Sequence, residues 1–497
     1  MLTKLLNNVS MYRMMSIALT ALWVIAFASS FFGWIAYSPW AMLASVGILG
    51  TVVFLASVLF ARLFGLSAHT ESSYITALIL FFIFTPSLET KALIAYVLIG
   101  LIAAASKFIL VYRGRHIFNP AAITAVIISL TGLAYATWWV ANPILFPFTF
   151  LLGFLIIQKT RRFLMGGIFL GLSIPLVFLV QMSYGTPVLE ALVLMLSWPF
   201  FYFSGFMLTE PQTLPPKRWQ QVFEVAIVAL VFAIPVHIGS VTTTPALALV
   251  IGNIIAFGFS RRRSITLRYK GSKQLTPASR ELTFAPVVRT RFEAGQYMEI
   301  TVPHKKKDGR GLRRSFSITS APGEDDLKLG IKFYTPSSTF KQALTDLPIG
   351  SIISATGING SFTIPGETMK PLLFVAGGIG ITPFISHLRW LKKTKQVRNI
   401  VLVYSVSNLQ DLAYKDVIQA SGVRVIVICK TTEKLAIENW TLVNEPYITV
   451  DNLYKNIPDI KSRLAFISGP PFMIDSAKKS LKKLDVKKIK TDYFIGY

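Results

Sequence analysis

Apolar residues run almost unbroken through the first half of the chain. Near position 261 they give way to short runs in which apolar and polar positions alternate. A bilayer span needs about 20 apolar residues. Ten candidates stand out, near 15–36, 41–61, 72–87, 91–110, 119–134, 142–158, 164–182, 188–208, 221–238 and 244–260. The first has no evident cleavage site and is expected to be retained. Residues 264–368 hold many short strand-like runs bounded by turn residues, which predicts a small antiparallel β-barrel. From 369, strand-like runs such as Leu372-Leu373-Phe374-Val375-Ala376 alternate with helical patterns, which predicts an α/β domain with a parallel sheet. The expected fold is therefore a membrane all-α part of about ten transmembrane helices (1–263), followed by an α+β module of barrel (264–368) and parallel-sheet domain (369–497).

Composition supports this division. Hydrophobic residues make up 53% of the chain and the mean hydropathy is +0.55, beyond the range of ordinary soluble proteins. The net charge of +26 is unevenly spread. Residues 1–263 hold 15 of the 50 Lys and Arg and 5 of the 24 Asp and Glu, leaving 35 and 19 for the rest. With the N-terminus inside, one set of loops carries Arg62, Arg113, Arg115, Lys159, Arg161, Arg162, Lys217, Arg218 and Arg261-Arg262-Arg263, while the opposite loops carry essentially Lys91 alone. The positive-inside rule then puts the N-terminus and the C-terminal module in the cytoplasm of a multi-pass protein of the cell (inner) membrane. A basic module tethered to a bilayer suits anionic lipid head groups. No basic helix pattern points to nucleic acid.

Cys429, the single cysteine, excludes an internal disulfide and a cysteine-ligated cluster. It lies in a strand-like run and reads as a buried thiol. His69, His116, His237, His304 and His387 never place two histidines on one span, which argues against paired haem ligands. No metal site is expected.

The segment Arg314-Ser315-Phe316-Ser317-Ile318-Thr319-Ser320 alternates apolar and hydroxyl residues. On its own it reads first as a plain barrel strand. Arg314 has the two-pronged geometry for a pyrophosphate, Phe316 a face for a flat ring and Ser317 a hydroxyl for a ring nitrogen. Gly295-Gln296-Tyr297 precedes it. Ser338-Thr339-Phe340 follows, where hydroxyls at a helix start suit a phosphate or simply cap the helix. Next come Gly357-Ile358-Asn359-Gly360 and Ala376-Gly377-Gly378-Ile379-Gly380-Ile381-Thr382-Pro383. Ser468-Gly469-Pro470-Pro471-Phe472-Met473 and a closing Tyr493-Phe494-Ile495-Gly496-Tyr497 complete the set. In this order they resemble the ferredoxin-NADP reductase-like superfamily, over residues 264–497.

The resemblance implies FAD in the barrel, held by Arg314, Phe316, Ser317, Ser320, Gln296, Tyr297, Ser338 and Thr339, with Phe494 and Tyr497 stacking on it. It implies NADH or NADPH at Gly377, Gly378, Gly380, Thr382, Pro383, Gly469, Pro470 and Met473. Ser317 and Ser468 stand at the reacting rings. Ser468 replaces a cysteine common among relatives. The strand Ile400-Val401-Leu402-Val403-Tyr404 ends at Ser405 and Ser407 with neither an acidic residue nor an arginine to choose between the two nucleotides.

Three stretches of the first half are unusually polar: Thr70-Glu71-Ser72-Ser73-Tyr74-Ile75-Thr76, Lys107 through Phe118-Asn119-Pro120-Ala121-Ala122, and Thr209-Glu210-Pro211-Gln212-Thr213. They read either as caps at the membrane surface or as polar ends facing a ligand. Asn119-Pro120 has the chemistry of a helix start, whose free N–H groups can hold an anion. In order and spacing the three resemble the NqrB/RnfD family of flavin-carrying membrane subunits. That resemblance implies FMN or riboflavin in the helix bundle near Asn119 and Thr209, quinone or an extracytosolic acceptor, and further electron-transfer subunits. The family's flavin attachment tetrapeptide is missing. Ser183-Tyr184-Gly185-Thr186-Pro187 is the nearest remnant, with Thr186 as attachment point or as part of an ordinary turn. Together the two resemblances imply a membrane flavoprotein oxidoreductase. The rivals are a haem-type transmembrane reductase and a transporter with an NAD(P)H-sensing domain.

Overall fold

The structure, a computed structural model, describes residues 9–64, 70–112, 115–210, 213–238, 241–259, 265–304, 312–333 and 337–493. By internal contacts the chain divides into two units, Met1–Arg263 and Ser264–Tyr497.

In the first unit, polar residues and prolines at the joints between apolar runs begin the helices. Ser10 caps α1 (Met11–Phe31), accepting the Arg13 N–H at 3.0 Å. Ser38 caps α2 (Pro39–Leu63) with proline at its first position. There follow α3 (Thr70–Ile83), α4 (Thr90–Ile109), α5 (Pro120–Thr131), α6 (Phe146–Thr160), α7 (Phe163–Ser183), α8 (Val188–Leu208), α9 (Arg218–Ala233) and α10 (Pro245–Phe259).

Each of the ten expected spans coincides with a helical segment, and by length and composition five of the helices are candidate spans. Among the described residues, α1, α2, α4, α7 and α8 are the helices long and apolar enough to cross a bilayer. The others run 14, 12, 15, 16 and 15 residues. Polar and proline joints cut them short.

Helix α8 is itself broken at Trp198-Pro199. Proline bars its predecessor from helical backbone, and Trp198 is extended at φ −100°, ψ 141°. Beyond the break Phe203–Leu208 winds as a π-helix. There Gly205 meets Gly153 of α6. A Cβ on Gly205 would stand 2.5 Å from Gly153 Cα, so only glycine permits this backbone approach.

The second unit opens with six antiparallel strands: β1 (Ile265–Thr276), β2 (Ser279–Pro286), β3 (Tyr297–Thr301), β4 (Arg313–Ser317), β5 (Leu327–Lys332) and β6 (Ile352–Asn359). Their order is β4-β3-β6-β1-β2-β5. A bridge from Ile318 to Leu329 joins the end of β4 to β5 and closes the barrel. Alternate residues point inward, among them Leu267, Phe284, Met298, Ile300 and Leu329. The short helix α11 (Thr339–Thr345) plugs the barrel with Phe340 and Leu344.

The chain then builds a parallel sheet from β7 (Leu372–Gly377), β8 (Ile400–Ser405), β9 (Arg424–Ile428), β10 (Trp440–Val443), β11 (Leu464–Gly469) and β12 (Ile489–Tyr493). Between them lie α12 (Thr382–Lys393), α13 (Lys415–Gln419), α14 (Val450–Asn456) and α15 (Pro471–Lys483). Phe374, Leu402 and Phe466 pack with α12 on one face, and Val375, Val403 and Ile467 with α15 on the other. Burial on both faces explains the unbroken apolar runs in these strands. The order β10-β9-β8-β7-β11-β12 reverses between β7 and β11. A crevice at the carboxyl ends of strands at such a reversal is where α/β sheets bind ligands. Cys429 is fully buried at the end of β9.

Candidate functional site

The reversal brings Gly377, Gly380, Gly469 and Met473 together. A Cβ on Gly380 would stand 2.5 Å from both Gly469 Cα and Ser468 O. One on Gly377 would collide with Met473 Cε and stand 3.2 Å from Pro470 Cδ. Gly378 needs glycine for a different reason: its φ is +52°, and a Cβ there would meet nothing within 4 Å. Thr382 donates its hydroxyl to Ile379 O at 3.0 Å and so fastens the turn. Pro383 falls in the first turn of α12. Ser468 ends β11 fully buried, and its hydroxyl has no hydrogen-bond partner among the described residues. A buried hydroxyl left open at a ligand crevice is a group a ligand can satisfy.

A prediction follows for this residue. Ser468→Ala is expected to leave thermal stability unchanged or slightly higher, because it removes an unsatisfied polar group. It is expected to slow reduction of bound flavin by nicotinamide nucleotide about tenfold, a loss of ~1.4 kcal/mol. Ser468→Cys is expected to be faster than wild type. Anaerobic stopped-flow bleaching, beside a melting curve, checks all three.

On the barrel, Arg314 is 4% exposed. Its guanidinium lies 4.9 Å from the Phe340 ring centroid, and its Nη1 donates to Arg313 O at 2.6 Å. Phe316, half-buried, stacks on the same Phe340 at 6.1 Å and 22°. One of its faces is therefore already covered by protein. Ser317 pairs with Tyr297 across β3 and β4. Tyr297 is half-buried against Gly360, where a Cβ would stand 3.2 Å from its ring.

Several expected cofactor contacts also make hydrogen bonds within the protein. The Gln296 amide donates to Gly360 O at 3.1 Å and accepts from Glu293 N at 2.8 Å, which shapes the loop. The Ser320 hydroxyl accepts from Lys328 N at 3.2 Å. Ser338 caps α11 by accepting from Lys341 N at 3.4 Å, and the Thr339 hydroxyl contacts His304 Nε2 at 3.2 Å. Simple capping, one of the two readings of Ser338, is what its side chain does. Phe494 and Tyr497 lie outside the described residues, as do Arg261-Arg262-Arg263.

The flavin-type strand and the nucleotide-type turn share a seam within this unit. Ser386 of α12 donates to Ser320 O at 2.8 Å, and Arg389 reaches Glu281 and Thr319. His387 is fully buried between them, its Nε2 donating to Phe362 O at 2.9 Å. Gly295, at φ +86°, accommodates this: a Cβ there would stand 2.5 Å from His387 Nε2. These partners were invisible in the sequence, since Glu281 and Arg389 stand 108 positions apart.

Burial pushes the His387 imidazole down to about 4. The unfolded chain takes up that proton near its ordinary value of about 6.5, so His387 contributes stability above that pH and loses it as pH falls toward 4. The contribution is about 3 kcal/mol. Thermal unfolding at pH 7 and pH 4.5 is expected to show a smaller acid loss for His387→Gln than for wild type.

The three polar stretches of the first unit also converge. Ser72, Thr76, Lys107, His116, Asn119 and Glu210 line one cavity together with Met15 and Phe206. Lys107 is 8% exposed and donates to Ser72 O and Oγ at 3.1 and 3.2 Å. Asn119 caps its own helix, accepting from Ala121 N and Ala122 N at 3.0 and 3.1 Å. Its Nδ2 donates to Glu210 Oε2 at 2.8 Å, and its backbone N–H to Asn253 Oδ1 at 2.7 Å. This corrects the expectation of an anion held at that helix start: the N–H groups are taken, and a carboxylate stands beside them. Thr209 donates its hydroxyl to Gly205 O at 2.9 Å and belongs to the π-helix end. Pro211 and Gln212 are outside the described residues. Thr186 sits in the turn between α7 and α8, after Gly185 at φ +79°.

Comparison with known proteins bears on the second unit. Residues 374–479 match the family model of the oxidoreductase NAD-binding domain. The reductase component of propane 2-monooxygenase from Rhodococcus jostii is 31% identical over 211 residues, 40% of this chain and 55% of that protein. The NADH oxidoreductase HCR of Escherichia coli is 24% identical over 204 residues, 41% and 59% of the two chains. The chain thus spans just over half the length of these curated relatives. Among solved structures, a cytochrome P450 reductase from Amycolatopsis aligns with 47% of this chain and 70% of its own, at 21% identity and TM-score 0.41. A ferredoxin NADP+ reductase from Neisseria gonorrhoeae, with bound FAD and NADP, covers 47% and 98%, at 20% identity and TM-score 0.39. Residues 374–479 thus match an oxidoreductase NAD-binding domain, and in this chain that domain follows the six-stranded antiparallel barrel.

Proposed function

We propose that the protein is a membrane-bound, NAD(P)H-dependent flavin oxidoreductase. Its second unit takes FAD along Arg314–Ser317 and NADH or NADPH at the β7–β11 crevice. The observation that carries this reading is the seam itself: the strand with Arg314 and Ser317 continues into Thr319 and Ser320, which are bonded to the helix leaving the glycine turn. Buried Arg314 beside two aromatic rings suits a pyrophosphate and the adjoining ring system. The open hydroxyl of Ser468 and the glycines beside it suit the nicotinamide end of a nucleotide. FAD, when bound, supplies the ability to take a hydride and to release electrons singly. The protein's tasks are to hold, orient and exclude water. No acid or base among these residues is required.

The first unit, in this proposal, carries the electrons onward across the cell membrane to a quinone or an extracytosolic acceptor, through an FMN or riboflavin in the bundle. The outward apolar side chains support a lipid setting: Leu55, Leu59 and Leu63 of α2 and Leu179 of α7 are 60%, 55%, 69% and 60% exposed. The likeness to the NqrB/RnfD family at Phe118–Ala122 and Thr209-Glu210 supports the flavin relay, and both stretches reach the same cavity. An anaerobic absorbance spectrum of detergent-purified protein, before and after NADH or NADPH, with extracted flavin counted, tests the whole. More than one flavin per chain, bleaching with nucleotide, is the expected result. A single FAD removes the membrane relay, and flavin that never bleaches removes the oxidoreductase. Flavin that survives denaturation in wild type but not in Thr186→Ala places an attachment there.

A further inference from the structure

The seam of the second unit holds a buried ion pair between residues 108 positions apart. Glu281 of β2 and Arg389 of α12 have side chains only 7% and 17% exposed. Arg389 Nη1 and Nη2 donate to the two Glu281 carboxylate oxygens at 2.8 and 3.2 Å. The same Nη1 donates to Thr319 O at 3.0 Å, and the Thr319 hydroxyl donates to Glu281 Oε1 at 2.7 Å. The guanidinium lies 5.6 Å from the Tyr414 ring centroid. One turn earlier, Ser386 is bonded to Ser320 O. Two consecutive residues beyond Ser317 are thus tied to the helix that begins at Thr382.

Burial pushes the Glu281 carboxyl up, but hydrogen bonds and charge from Arg389, with Thr319, more than offset it and hold it below the ordinary carboxylate range. The pair is therefore ionised at neutral pH. Buried ion pairs are poor stabilisers, because desolvation consumes most of what the charges gain. Apolar replacements of similar volume are often as stable. What a two-pronged guanidinium–carboxylate contact supplies is one fixed orientation. Here it fixes Thr319 against Arg389, and hence the flavin strand against the nucleotide turn.

We propose that Glu281 and Arg389 are positioning residues for hydride transfer, setting the gap between the flavin ring at Ser317 and the nicotinamide at Ser468. This rests on the reductase reading above. A misplacement of about 1 Å costs on the order of 10²-fold in rate.

The test compares full-length wild type with Arg389→Lys and with the double variant Glu281→Met, Arg389→Met, all in detergent. Four quantities are read: melting temperature, FAD affinity, the rate of bleaching at saturating nucleotide, and the long-wavelength absorbance that a stacked nicotinamide–flavin pair gives. Expected for the double variant are near-wild-type melting and FAD affinity, bleaching slowed about 10- to 100-fold, and loss of the stacking absorbance. Arg389→Lys keeps the charge without the fork and is expected to show the same loss, milder. If the double variant does not fold, Arg389→Lys decides by the same readouts. Wild-type bleaching and stacking absorbance in either folded variant overturn the inference alone. Wild-type protein that never bleaches overturns the reductase reading and the inference with it.

Discussion

Gly380→Ala is expected to suppress nucleotide-dependent flavin bleaching by at least about 10²-fold while FAD stays bound. The added methyl would stand 2.5 Å from Gly469 Cα, 2.5 Å from Ser468 O and 2.7 Å from Gly469 N. All three atoms are backbone, so no side chain can swing aside. The β7 turn and the end of β11 must part by about an ångström, and overpacking of this kind costs roughly 1–3 kcal/mol. Displacement falls on Ser468, the residue proposed to face the nicotinamide, which is why rate suffers more than stability. Gly378→Ala is the informative contrast. Its methyl meets nothing, so it bears only the roughly 1–2 kcal/mol of a left-handed backbone. Stopped-flow bleaching and extracted FAD content separate the two. A Gly380→Ala protein that bleaches at the wild-type rate would place the nucleotide elsewhere.

Arg314→Ala is expected to release FAD, with affinity reduced about 10²-fold or more. Two charge-assisted hydrogen bonds to a pyrophosphate contribute about 1.5–3 kcal/mol each. The residue is 4% exposed and fixed over Phe340, so its guanidinium is already oriented before any cofactor arrives. Arg314→Lys keeps a charge but not the planar fork, and is expected to recover only part of the affinity. Titration of apoprotein with FAD, followed by quenching of flavin fluorescence, measures both. Melting of the apoproteins shows how much of the loss is packing against Phe340, about 0.5–2 kcal/mol from the cation–aromatic contact. Unchanged FAD affinity in Arg314→Ala would remove the pyrophosphate from this strand.

The positions of helices and strands were written in local chemistry. Ser10, Ser38 and Asn119-Pro120 begin helices because a hydroxyl or amide can take up free N–H groups and proline suits a first turn. Period-two alternation marked the barrel strands, and unbroken apolar runs marked the sheet buried on both faces. Glycines at 377, 378 and 380 marked a turn open to close approach by a ligand, or a plain strand-to-helix turn. Where a side chain spends its hydrogen bonds was not legible. The resemblance assigned Gln296 and Ser320 to a cofactor and residue chemistry offered Asn119 to an anion; each also bonds a protein group close in space. Helix length was not legible either: hydropathy alone did not show that α5, capped by Asn119, runs only 12 residues.

The sequence by itself determined the order of elements, the division near residue 263 between apolar helices and alternating strands, and the residue types available for flavin and nucleotide chemistry. These depend on neighbours a few positions apart, and local chemistry carries them. Only the tertiary structure decided which of those residues meet. It put Gly380 on Gly469, buried the Ser468 hydroxyl without a hydrogen-bond partner among the described residues, set Glu281 on Arg389, and gathered Lys107, Asn119 and Glu210 around one cavity. Such pairings span up to a hundred residues or more and are fixed by strand order and by packing of whole helices. A residue's neighbours in sequence carry no trace of either.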